Sequence, residues 1–283
     1  MMETPLVSII MPVYNGASTI RLALQSLLVQ TYSNWLCIIV NDGSTDGTKE
    51  ILDSLTDSRF KVYHLPKNMG RGYARQVALD HVEGEFIAYL DADDFYHREK
   101  IQRQMDVMIS DFTIDLVACG LLTFGVDGKP INVRGKRYRD VKIYRDGDNL
   151  PITMPTALIR RDRIHDISYN PILNAGEDLD YFSQYLDGGH YVNLDSILFY
   201  YFTGPTTYKK ILSYTYNDCL RGIFLSKRNL VSGMKTIAFD LFKLVVYAVG
   251  IPIMGVDYFI GCRGKAPSQQ DIIEYYEQRK ILI

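Results

Sequence analysis

The sequence predicts an α/β protein: a mainly parallel sheet flanked by helices, followed by a helical C-terminal extension. Three observations carry this prediction. About the first 95 residues alternate apolar runs with segments of helical periodicity, the pattern of a parallel sheet covered on both faces. The apolar runs are continuous and rich in β-branched residues, as strands buried on both sides must be. From residue 211 the chain reads as helical and amphipathic.

The elements follow in order. "LVSIIMPVY" (6–14) reads as a buried strand, and "NGAST" turns the chain. Ser18 or Thr19 is the expected cap of a helix in which Ile20, Ala23, Leu24, Leu27 and Leu28 share one face. "WLCIIV" (35–40) is a second strand, "NDGSTDGT" (41–48) a turn, and 48–56 a helix. "FKVYHL" (60–65) is a third strand, 71–82 a helix and "EFIAYL" (85–90) a fourth strand. A helix is predicted near 97–110, then a hairpin over 116–133 with its turn at Asp127–Gly128. "MPTALI" (154–159) reads as a strand, 177–186 as a helix and "SILFYYF" (196–202) as a strand. "TGPTTYKK" (203–210) reads as a mobile loop. Residues 1–210 thus form one domain, with a nucleotide-binding half (1–95) and an acceptor-binding half (96–210); 211–283 is the helical extension.

Composition narrows the function. The chain has 283 residues, 47% hydrophobic and 23% charged, enough apolar mass for a real core. A net charge of −2 gives no reason to expect nucleic acid as a partner. Cys37, Cys119, Cys219 and Cys262 form no CxxC pair, so a zinc site is not expected. The start lacks the basic region of a signal peptide, and the expectation is a cytoplasmic chain with reduced thiols. No segment qualifies as a membrane span: the best candidate, 244–256, has 13 uncharged residues, short of the roughly 20 needed. The six basic residues of 134–145 and the apolar tail 234–261 are instead expected to rest peripherally on an anionic membrane surface.

Ligands of such sheets bind beyond the carboxyl ends of the strands, where "YNG", "NDGSTD" and "DADD" follow three of the strands. In "YLDADDF" (89–95), Asp91 and Asp93 are two apart and point to one side if the backbone is extended. Paired hard oxygens suit Mg²⁺ or Mn²⁺ bound together with substrate phosphates. Asp94 reads as structural, a cap for the helix near 97. On these residues alone a solvated cap and a cation site are equally open. Asp42, at a strand tip, is placed to accept an N–H from a base such as uracil, and Tyr14 to stack on one. Each also fits an ordinary turn or core edge. Arg71 and Arg75 sit at i, i+4 near a helix start, where anions are favoured. In "GEDLD" (176–180), Glu177 and Asp178 open a helix, as caps or with one of them as a general base. No G-x-G-x-x-G or P-loop is present.

Taken together, "VSIIMPVYNG", "LLVQTYSNWLCIIVNDGSTDGT", "NMGRGYARQVAL", "GEFIAYLDADD" and "GEDLD" resemble the family 2 glycosyltransferases, in that order, over about residues 6–202. The resemblance implies a GT-A (Rossmann-like) fold, a nucleotide-sugar donor with uridine diphosphate as the expected nucleotide, Mn²⁺ or Mg²⁺, and inversion at the anomeric carbon. It places Pro12, Tyr14 and Asp42 along the nucleoside, Arg75 in the N-x-G-x-x-x-A-R segment, and Asp91, Ala92 and Asp93 as the DxD. Asp93 is then the direct metal ligand, with Asp91 beside it, and Asp178 is the catalytic base. Asn41 departs from the commonly paired aspartates and Gln76 from the usual Asn. The acceptor is expected to be a glycan or lipid-linked oligosaccharide in bacterial-type surface polysaccharide synthesis, at the inner face of the membrane. A sugar-phosphate nucleotidyltransferase is the competing enzyme class, but no Lys or Arg follows the first strand until Arg21. A non-catalytic nucleotide-sugar-binding protein is the other alternative.

Overall fold

The computed structural model describes residues 4–135, 141–145, 150, 152–173, 175–205, 207–261 and 263–283. Strands β1 (Val7–Val13) and β2 (Trp35–Asn41) are buried along their whole length, which is why both read as unbroken apolar runs. Helix α1 (Ile20–Leu28) connects them and buries Ile20, Ala23, Leu24 and Leu27. The expected cap does not form. Thr19 flanks the helix, but its hydroxyl turns back to the Gly16 carbonyl at 3.3 Å and accepts no helix N–H.

Helix α2 (Thr48–Asp53), strand β3 (Phe60–His64), helix α3 (Arg71–Leu79) and strand β4 (Phe86–Tyr89) complete the expected alternation. A two-residue strand, β5 (Phe95–Tyr96), precedes α4 (Lys100–Ser110). Strands β6 (Leu116–Phe124) and β7 (Pro130–Arg134) form the expected hairpin, with Gly128 at φ +71° in its turn. After β8 (Lys142–Ile143), the stretch expected as one strand is divided. Met154–Thr156, with Pro155 inside, makes a 3-10 turn, and only β9 (Leu158–Arg160) pairs in the sheet. Helix α5 (Glu177–Leu186) leads to β10 (His190–Phe202), which starts six residues before its predicted start. The expected loop ends early, because Thr207 accepts from the Lys210 N–H and starts α6 (Tyr208–Arg228). Of the basic stretch 134–145, positions 136–140 lie outside the described residues.

The ten strands make one mixed sheet ordered β3-β2-β1-β4-β9-β6-β10-β5, with β7 on β6 and β8 on β10. The β3-β2-β1-β4 half is parallel, whereas β9 runs antiparallel to both β4 and β6. One core lies on the α1 and α4 face and a second on the α3 and α5 face.

The C-terminal region is not a uniform extension. Helices α6 and α7 (Leu230–Met254) pack as a close hairpin. Gly233 permits the approach, since a Cβ there would lie 2.3 Å from the Ser226 Cα. A 25-residue helix spans roughly 37 Å at 1.5 Å per residue. By length and composition α7 is long and apolar enough to cross a membrane, and little of it is buried. The sequence reading is corrected here. Lys235, Asp240 and Lys243 break the apolar run in sequence but not the helix, and Asp240 is buried against Lys243 at 2.7 Å. After α8 (Val256–Gly261), α9 (Gln269–Leu282) returns to the sheet body. Its Tyr275 is fully buried in a third core with Phe95, Phe124 and Tyr200, and its hydroxyl donates to the Gly128 carbonyl at 3.0 Å.

Candidate active site

The carboxyl ends of β1, β2 and β4 open into one cavity of about 680 Å³ that Pro12, Tyr14, Asp42, Arg71, Asp91 and Asp93 all line. Ala92 lines it too, and Tyr14 is half exposed there. Two loops are stitched together to make its floor. The Asn15 side chain accepts from the Thr45 N–H at 2.8 Å, and its own N–H donates to Ser44 at 2.9 Å. The Asp46 carboxylate accepts from the Ala17 N–H at 3.0 Å. This accounts for the Ser, Thr and Asp of the "NDGSTD" turn as braces. Gly43, at φ +66°, lets the backbone pass; a Cβ would stand 2.4 Å from the Lys67 carbonyl carbon.

Asp42 is buried, and its two carboxylate oxygens accept from the backbone N–H groups of Met69 and Gly70 at 2.7 and 2.9 Å. It therefore holds the start of α3 in place while keeping an edge on the cavity.

Asp91 and Asp93 do not project from extended backbone. The Asp94 N–H donates to the Asp91 carbonyl at 3.1 Å, closing a turn that brings both side chains to the cavity. The three aspartates differ electrostatically. Burial raises the Asp91 carboxyl, but Arg75 and Arg71 overcome it and hold it below its ordinary value. Asp93, solvent-exposed at the mouth of a dense cleft, is pushed up to about 6 by its surroundings and by Asp91. Asp94 is fully buried and raised well above the carboxylate range by burial and its two neighbours. It caps no helix. Its Oδ1 accepts from the Phe202 N–H at 2.7 Å, which fastens the end of β10 to the DxD turn.

A divalent cation fits this donor set. Arg75 occupies Asp91 Oδ1 at 2.8 Å, leaving Oδ2, and no other side chain donates to the Asp93 carboxylate among the described residues. Those residues hold no cluster of three or more metal-ligating side chains. A cation would depend on one or two carboxylates plus substrate phosphate, the usual arrangement for magnesium.

A second cavity, of about 570 Å³, lies beside the first and is lined by Asp178, Tyr169 and Gly176. Arg71, Asp91, Arg134, Tyr201, Tyr214 and Arg263 line both. The wall between them is a charge network. Glu177 is fully buried, and its Oε1 accepts from Arg71 Nε and Arg75 Nη1, each at 2.7 Å. Gly176, left-handed at φ +74°, starts α5 and sets this pair. Arg75 lines only the second cavity, and its buried guanidinium is shared between Glu177 and Asp91. Arg75, expected along the nucleotide-sugar, instead ties the start of α5 to the DxD turn. Arg71 keeps a side chain nearly half exposed.

Arg134, Tyr201, Lys210 and Arg263 were not legible in the sequence. They come from β7, β10, α6 and the α8–α9 connection, and no short motif marks them.

A Rossmann-like sheet with a carboxylate pair at its strand ends, joined through a shared wall to a second cavity carrying a helix-borne carboxylate, defines a group-transfer enzyme of the GT-A class. The sequence matches the family described as Glycosyl transferase family 2 over residues 8–167, and the chain belongs to that family. It is 39% identical over 110 residues to the Escherichia coli UDP-Glc:alpha-D-GlcNAc-diphosphoundecaprenol beta-1,3-glucosyltransferase WfgD, covering 39% of this chain and 44% of that protein. An uncharacterized glycosyltransferase of Haemophilus influenzae is 37% identical over 115 residues, covering 40% of this chain and 46% of the relative. The chain thus spans about half the length of these curated relatives. In fold it is similar to S. aureus TarS 1–349 in complex with UDP-GlcNAc: TM-score 0.66, 20% identity, covering 96% of this chain and 79% of TarS. The Pyrobaculum calidifontis mannosyltransferase PcManGT, in complex with GDP-Man and Mn2+, superposes with TM-score 0.61 at 15% identity, covering 99% and 88%.

Proposed function

We propose that this protein transfers a sugar from a uridine-diphosphate donor to a hydroxyl of a glycan or lipid-linked acceptor, with inversion, in bacterial surface polysaccharide synthesis. One observation carries the reading. The cavity holding Asp91 and Asp93 and the cavity holding Asp178 share a wall, so donor and acceptor can meet across it.

In this reading Tyr14 stacks on the base, and Asp42 and Pro12 flank the nucleoside. Asp93, supported by Asp91, holds Mn²⁺ or Mg²⁺, which when bound offsets the charge that develops on the departing diphosphate. Asp178 takes the proton of the acceptor hydroxyl as that oxygen bonds to C1. The C1–O bond to phosphate breaks on the opposite face, and its electron pair leaves with the nucleoside diphosphate. Asp178 sits in the first turn of α5. Arg75 and Glu177 act as positioning residues that fix its distance from the DxD turn.

Helix α7 supports a membrane location at the cytoplasmic face. Phe242, Val245 and Val249 lie on one exposed, apolar side, while Lys243 and Tyr247 of the same helix line the acceptor cavity. WfgD, by its name, acts on a diphosphoundecaprenol-linked acceptor, which fits that placement.

The test is release of UDP from a panel of UDP-sugars with Mn²⁺ and acceptor extracts. Asp178→Asn is expected to abolish transfer with UDP binding retained, and Asp93→Ala to lose manganese-dependent UDP binding. Near-wild-type transfer by Asp178→Asn removes the base assignment.

A further inference from the structure

The arginines around the two cavities do not hold their charge equally. Arg71 and Arg75 are neutralised by Glu177 and Asp91. Arg134 and Arg263 have no such partner. Arg134 Nε donates to the neutral side-chain oxygen of Asn132 at 3.2 Å, and among the described residues no carboxylate pairs with either arginine. They are close enough that Arg263, together with burial, pulls the Arg134 guanidinium below its ordinary value.

The fold enforces this repulsion. The Val133 N–H donates to the Lys265 carbonyl at 2.8 Å, and the Lys265 N–H returns to Val133 at 3.0 Å. This pair of bonds pins the α8–α9 connection to β7 and sets Arg263 beside Arg134. Gly264 allows it, since a Cβ there would lie 2.8 Å from both the Asn132 side-chain oxygen and the Val133 carbonyl. Like charges held together by backbone bonds, facing a cavity and without a protein counter-ion, are suited to an anionic ligand.

Both arginines line the cavity that holds Asp91 and Asp93, at the end lined by Tyr201. The charges that act on Asp93 are those of Asp91, Arg71 and Lys210, while those acting on Arg134 are Arg263 and Tyr201. Tyr201 stands between the two groups, since its phenol also feels Asp94, Asp91 and Asp93. Both arginines also line the cavity that holds Asp178. We propose that Arg134 and Arg263 bind a phosphate group of the acceptor, so that the acceptor is a sugar carried on phosphate. This rests on the sugar-transfer reading and narrows its acceptor. The phosphate has two sources, the anchor of a lipid-linked sugar or the backbone of a phosphate-containing polymer.

The experiment uses the full chain. Binding of inorganic phosphate is titrated in EDTA, so that no cation at the DxD recruits it, and binding of UDP is titrated separately with Mn²⁺. Wild type is expected to bind phosphate, and Arg134→Gln/Arg263→Gln to weaken it at least tenfold and by more than it weakens UDP binding. The Arg→Lys pair should recover part of the loss, which separates lost charge from lost fold. Absence of phosphate binding in wild type, equal binding by the Gln pair, or a matching loss of UDP overturns the assignment. Dodecyl phosphate and methyl phosphate then separate the sources. Arginine-dependent binding that is tighter for the dodecyl ester assigns a lipid carrier, and equal binding assigns a polymer. If UDP fails to bind wild type with Mn²⁺, the donor reading fails, and the phosphate titration still decides the arginine site.

Discussion

Replacing Glu177 by Gln should damage stability and catalysis together, and the structure sets the size. The side chain is fully buried and one oxygen takes two guanidinium bonds at 2.7 Å. Gln preserves the volume but removes the charge, leaving Asp91 as the carboxylate that Arg75 hydrogen-bonds among the described residues. Breaking a buried pair costs about 3–5 kcal/mol. The Arg71 arm adds little, because that side chain is 43% exposed and exposed pairs contribute roughly 0–1 kcal/mol. Asp91 still compensates Arg75, so the low end, about 3 kcal/mol, applies. At about 2–4 °C per kcal/mol for large domains, the melting temperature should fall by roughly 6–12 °C. Thermal unfolding followed by circular dichroism measures this. UDP release should fall as well, since α5 loses its tie to the DxD turn. A variant that melts with wild type would show that the Arg71–Glu177–Arg75–Asp91 network is not what joins the two halves.

Two further outcomes are expected. His97 is buried and pushed down to about 4 by desolvation; its Nδ1 accepts from the Glu99 N–H at 3.1 Å, so the neutral ring turns Nε2 toward Glu274 on α9. The unfolded chain protonates His near 6.5, so between about 6.5 and 4 it binds the extra proton and stability falls as pH falls. His97→Gln should flatten that part of a urea-midpoint-against-pH curve, and an unchanged slope sinks the assignment. For α7, truncation near residue 230 is the wrong test, because it also removes α9 and the buried Tyr275. Phe242→Glu, Val245→Glu and Val249→Glu, on exposed positions, should instead abolish flotation with anionic liposomes at unchanged melting temperature. Flotation equal to wild type removes the helix from the membrane reading.

The parallel half was legible because burial on both faces forces continuous apolar runs and leaves the polar strand-end clusters conspicuous between them. The second half was not. Strand β9 has three residues and follows a proline-containing 3-10 turn, and β10 changes register twice against β6, so neither keeps one period. Asp91, Asp93 and Asp178 stand in local motifs, and the structure brings them to two adjoining cavities. Arg134 and Arg263 were not, because their pairing depends on a backbone contact between segments about 130 residues apart. Helix α7 read as too short because Lys243 bounds the apolar stretch 244–256 in sequence, whereas in the helix Lys243 pairs with Asp240.

Asp94 has a mechanical consequence. One turn carries Asp91 and Asp93 and, at the next position, the clamp on Phe202. Beyond Phe202 the chain runs through only a few residues into α6 and then α7. The DxD turn and the start of the α6–α7 hairpin are therefore joined through the end of β10. A displacement of the end of β10 would reach the DxD turn through a single carboxyl, that of Asp94.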